Sequence, residues 1–259
     1  MRWRFVIVLA FFSDDLSSQI LNIDKTDTTA YTSKSSWDGH LALGLEIDKQ
    51  KNTLFDASNF IDVSFKKGKE LFIVSYSNRF TFFAGNDLLN SGYGHLRWRH
   101  LYKNRLHPEA YIQEQWSAAI GMEHRFLYGA NLRFTLLHND KIEMTVATGV
   151  FNESEEWNYS ATDITTPMDN VRSHKIKSNN YIKLESKPSK STQLSTSIFY
   201  QAAFSDFFSP RIAMQASFDV PISRRLALAQ RISGLYDVTP LVPIFNFYYS
   251  FSNSFVYRF

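Results

Sequence analysis

The C-terminal fifteen residues constrain this chain most. Phe245, Phe247, Tyr249, Phe251, Phe255, Tyr257 and Phe259 fall on one side of a two-residue repeat, and Asn246, Ser250, Ser252, Ser254 and Arg258 on the other. Successive side chains of a strand point to opposite faces, so this pattern specifies a strand with one aromatic and one polar face. A helix would scatter the same residues around its circumference.

The same alternation recurs upstream. Trp37, Gly39, Leu41, Leu43, Leu45 and Ile47 oppose Asp38, His40, Glu46 and Asp48. Phe55, Ile61, Val63 and Phe65 oppose Asp56, Asp62 and Ser64, and Phe72, Val74, Tyr76, Phe80 and Phe82 oppose Ser75, Arg79 and Thr81. Leu96 and Trp98 oppose Arg97 and Arg99, and Phe126, Tyr128, Leu132 and Phe134 oppose Asn131 and Arg133. Ile142, Met144, Val146 and Val150 oppose Glu143, Thr145, Glu153 and Glu155. Further runs follow near 176–185, 194–204, 212–220 and 226–236. Residues 110–118 form a strand of ambiguous register, because Glu114 shares a face with Ile112 and Trp116. The expected total is about twelve strands, with all seven prolines in or beside turns, where a missing backbone donor does least harm.

Alternation alone also fits a soluble barrel or sandwich. Aromatic residues make up 16% of the chain, yet the mean hydropathy is −0.26 and no stretch of eighteen apolar residues occurs. A transmembrane helix is therefore not expected, whereas a transmembrane barrel needs none, since each of its strands is only half apolar. One face of the last run alone carries seven aromatic rings. That load suits an unlimited lipid exterior better than a closed core. Residues 245–259 would cover roughly 35 Å along a barrel axis, enough for an apolar band of ~25 Å with aromatic girdles. The expected fold is an all-β, closed antiparallel transmembrane β-barrel over residues 37–259. Turns at 67–69, 138–140 and 222–225 belong to the side of the termini, and longer loops at 84–93, 158–173 and 238–243 to the other. Residues 1–18 carry Arg2, Arg4 and the apolar run Phe5–Phe12, the pattern of an export signal; the alternative is a buried first strand. Residues 19–36 form a polar segment.

Several segments carry a family resemblance: the opening WDGHLALGLEID, GHLRWRHLYKNRLHPEAYIQEQW, FLYGANLRF with Gly129 and Arg133, ATGVFNESEEW, and the ending FVYRF. Over roughly residues 20–259 the chain resembles the domain-of-unknown-function family of salt-induced outer-membrane proteins. The resemblance implies the cell outer membrane and a barrel, but no catalytic residues. The ending, with Phe255, Tyr257 and Phe259, also resembles the terminal signal that such barrels present to the barrel-assembly machinery. Expected partners are outer-membrane lipid, that machinery and periplasmic chaperones.

Nucleotide, zinc-protease and EF-hand motifs are absent from the sequence, and so is cysteine. The seven His lack metal-ligand spacing, the net charge is only +3, and basic residues are scattered, so neither cofactor, metal nor nucleic acid is expected. The candidate functional residues are the charges on polar faces: Arg97, Arg99, Arg133, Glu153, Glu155, Asp56 and Asp62. They would form either a selectivity-setting pore wall or an internal salt-bridge network that plugs the lumen; the second is the expectation here. The expected role is structural, stress-response or permeability-related rather than enzymatic. A membrane-embedded lipid-modifying enzyme and a soluble periplasmic carrier are the alternatives.

Overall fold

The computed structural model describes residues 35–49, 53–83, 87–102, 105–158, 170–189, 192–223 and 225–258. The expected export signal, most of the polar segment and Phe259 lie outside these residues. The strands are β1 Ser36–Lys49, β2 Thr53–Lys67, β3 Glu70–Phe83, β4 Asp87–His100, β5 Leu106–Ser117, β6 Met122–His138, β7 Ile142–Trp157, β8 Val171–Ser186, β9 Gln193–Ala203, β10 Asp206–Pro221, β11 Leu226–Asp237 and β12 Phe247–Arg258. Each pairs antiparallel with its sequence neighbours, and β1 pairs with β12, so the sheet closes into a barrel. Closure leaves no wholly unpaired edge strand, which is what allows a sheet to stand in hydrocarbon.

The wall is inside out relative to a soluble protein. Its outward residues include Trp37, Val74, Leu96, Tyr128, Leu132, Ile176, Ile182 and Ile198, all exposed. Its inward residues include Arg97, Arg99, Arg125, Arg133, Glu109 and Gln115, each no more than 2% exposed. Strand register lines the outer residues up into continuous rows. Phe134 faces Val146, Val146 faces Ile182, Ile182 faces Ile198, and Ile198 faces Met214. This row is part of an apolar belt around the barrel, the surface that a bilayer solvates.

Several boundaries differ from the sequence reading. The expected loop 84–93 is largely strand, because β4 begins at Asp87. The expected loop 158–173 ends at Asn170, before β8. The last strand begins at Phe247; Phe245, 82% exposed, precedes it. Pro108 and Pro210 lie within strands rather than beside turns. Both are accommodated locally. The β4–β5 ladder stops at Arg99–Glu109, one residue short of Pro108. Pro210 falls where the β9–β10 register shifts between Asp206 and Arg211, a bulge that needs no regular donor.

The closing seam is short. The β1–β2 ladder runs the full length, from Ser36–Lys66 to Lys49–Thr53. The β1–β12 ladder runs only from His40–Arg258 to Leu43–Phe255 among the described residues. The Tyr257 backbone pairs with both Leu41 and Leu226, which fixes the C-terminal strand between its neighbours. Phe255 points outward and is half exposed.

Candidate functional site

Seen from the rim that carries the termini, the lumen is filled in successive layers. The first centres on Glu109 of β5. Its carboxylate accepts from Arg99 Nη2 at 3.0 Å and Nε at 3.1 Å, from Asn131 Nδ2 at 2.9 Å and from Tyr181 Oη at 2.9 Å. Arg97 lies 4.0 Å away. Tyr181 stands on β8, three strands from β5, so this bond is a chord across the lumen. Arg133 donates to Glu143 and Thr145, each at 3.2 Å. Gly149 makes the first layer possible: a Cβ there would overlap the Asn131 side chain and the Ala130 carbonyl.

The next layer is apolar. Tyr111, Leu127, Ala147, Phe151, Tyr181, Phe199, Ala213 and Leu235 form one buried cluster contributed by seven consecutive strands, β5 to β11. The sequence reading named only polar and charged residues for the inner face; these side chains add an apolar layer to it. Packed apolar rings leave no hydrated path where they meet.

Above them lies a second charged layer. Glu153 accepts from Arg125 Nε at 2.6 Å and from Arg211 Nη1 at 3.3 Å, and pairs with Lys177. Glu155 meets Arg125 at 3.1 Å and Arg211 at 2.8 Å. Arg211 also reaches Asp237 at 2.8 Å. Because Arg211 is on β10 and the two glutamates on β7, this layer too crosses the lumen. The planar guanidinium suits such sharing, since it presents donors to several carboxylates at once. The space beside Glu155, Lys177 and Arg211 is about 40 Å³, room for water rather than for a solute.

One side of the far mouth is covered. Val242, between β11 and β12, is 3% exposed and packs with Met122 and Trp157; Leu241 and Ile244 join the same cluster. On the opposite side of the lumen, Asp56 accepts from Arg79 at 2.9 Å and from Thr81 at 2.5 Å, and Asp62 accepts from Ser75. Arg231 of β11 sits over the Phe60 ring of β2 at 5.2 Å, a further chord at mid-height. A hollow of about 400 Å³ lined by Arg79, Thr81, Leu89, Ser91 and Tyr248 lies above it.

All seven expected charges are therefore buried in the lumen, but in separate clusters. Asp56 and Asp62 belong to one wall, Arg97 and Arg99 to Glu109, Arg133 to Glu143, and the Glu153–Glu155 pair to Arg125 and Arg211. Sequence reasoning did not single out Glu109, Arg125 or Arg211. Parity was available for Arg125, which precedes the outward Phe126, and for Arg211, which precedes the outward Ile212. Glu109 was hidden by Pro108 and by the ambiguous register of its strand.

The sequence matches no family model and no curated protein. The fold is similar to that of the translocator domain of the autotransporter NalP from Neisseria meningitidis, with a TM-score of 0.51 and 11% identity over 87% of this chain and 88% of that one. The beta domain of the Bordetella autotransporter BrkA is a more distant neighbour, with a TM-score of 0.38 and 9% identity over 85% of this chain and 97% of that one. The likeness to the NalP domain is one of fold; the closed barrel and its apolar outer belt are those of an outer-membrane β-barrel.

Proposed function

We propose that this protein is a closed, non-enzymatic outer-membrane barrel with a structural role in the envelope, rather than an open diffusion pore. The observation that carries this reading is the pair of lumen chords, Tyr181 to Glu109 and Arg211 to Glu155, with the apolar layer between them. A selectivity filter works by offering charges to a passing ion; here the charges are spent on one another. The resemblance to salt-induced outer-membrane proteins agrees with a role in a wall that must hold under osmotic load. A conduit reading, as for a translocator, would need the Phe151–Phe199–Leu127 layer to separate.

Liposome swelling tests the proposal. Vesicles carrying the refolded barrel should swell in an isotonic small sugar no faster than protein-free vesicles. Swelling at the rate given by an equal amount of a general porin would overturn it.

A further inference from the structure

The outer wall carries a trough. Its floor is a register row of small or slender outward residues: Ala110 faces Ala130, Ala130 faces Val150, and Val150 faces Ser178. Trp98 closes one end and Phe204 and Phe207 the other, and the depression measures about 720 Å³. That volume lies within the ~300–1,000 Å³ range of clefts that hold small organic ligands.

The next row contains a polar pair. Thr148 Oγ1 donates to Asn180 Oδ1 at 2.8 Å. Asn180 stands on β8 between the same-face residues Ser178, part of the trough floor, and Ile182, exposed in the belt, so its amide borders both the trough and the apolar belt. No donation from its Nδ2 is found among the described residues. Two amide hydrogens turned toward hydrocarbon are costly unless something there accepts them. The trough's height suggests what does. Just above Val150 and Ile176 the outer face turns polar, with Asn152 against His174 at 3.2 Å and Arg172 against Glu156 at 2.7 Å. The trough thus lies at the upper margin of the belt, below the headgroup level of the leaflet opposite the termini.

We infer that this trough binds one acyl chain of an outer-leaflet lipid whose chain carries a hydroxyl near its head, and that Asn180 Nδ2 donates to that hydroxyl oxygen. A flexible chain can lie along a concave floor between aromatic ends. The convex wall of a second barrel would meet the trough only at its edges, which makes lipid the better occupant than another copy.

Native mass spectrometry of barrels extracted from outer membrane in mild detergent tests the inference. The probe is lipid A bearing 3-hydroxyacyl chains, with phosphatidylglycerol, which lacks the hydroxyl, as competitor. Wild type should retain one lipid A. Asn180→Leu and Ala130→Phe should still shift on unboiled gels; Asn180→Leu should bind lipid A about tenfold more weakly, the value of roughly one hydrogen bond, and Ala130→Phe, which fills the floor, should lose the bound lipid. Equal retention in wild type and Asn180→Leu would overturn the inference, as would equal displacement by phosphatidylglycerol. Paired barrels that separate in Ala130→Phe would assign the trough to a second copy instead. Should Ala130→Phe fail to fold, Asn180→Leu decides alone, because a leucine on the lipid face suits the wall.

Discussion

At the scale of single residues, the lumen charges have the most to lose. Glu153 is 2% exposed and shared by Arg125, Lys177 and Arg211. Removing one carboxylate from a buried set leaves cations uncompensated, which costs about 3–5 kcal/mol. Glu153→Leu should therefore lower unfolding stability by that amount in a urea titration of the refolded barrel; a change under ~1 kcal/mol would mean that water already screens the site. On the outer face, Ile198 sits between Ile182 and Met214 within the belt. Ile198→Arg should cost roughly 2–4 kcal/mol, whereas Phe247→Arg, at the end of β12, should cost about 0–1 kcal/mol. Much of this was legible from parity, since every residue expected on the inner face from Arg97 to Glu155 is found there. Which charge meets which was not. Partners such as Tyr181 and Glu109 lie 72 residues apart and meet only because the barrel closes.

At the scale of elements, the ladders differ in length, and their stabilities should follow. The short β1–β12 seam ties the barrel with few backbone bonds, whereas the β7–β8 ladder runs from Ile142–Ser186 to Trp157–Val171. Hydrogen exchange should be fastest along β1 from Gly44 to Lys49 and slowest in the middle of β7; uniform protection around the wall would contradict this. The loop between β11 and β12 should act as a cap and not as the whole plug. Replacing Leu241–Ile244 by Gly-Ser repeats should loosen Trp157, seen as a red-shifted tryptophan emission, yet leave sugar permeability unchanged. Strand existence and type were readable from alternation, but boundaries less so. The segment 84–93 looked like a loop because it holds Gly85, Asn86, Asn90, Ser91 and Gly92. Gly92 in fact serves packing: a Cβ there would overlap the Ser77 carbonyl and the Trp116 ring. A glycine required by a neighbouring strand looks, in one dimension, like a turn. Phe245 continued the aromatic parity beyond the strand for the converse reason, since alternation can run past the last ladder pair, Tyr236–Phe247.

At the scale of the whole molecule, the barrel has two surfaces with opposite tasks. The outer one is solvated by lipid, and the inner one joins the walls across the axis. Inward Leu127, Phe151 and Phe199 interrupt the polar face of their strands, and each alone is a minor irregularity in sequence. Only closure brings them together as a layer. That layer decides between wall and pore, and single-channel recording of the refolded wild-type protein in a planar bilayer measures it directly. The account predicts no steady openings at moderate voltage; large, steady currents from the wild-type barrel would contradict it.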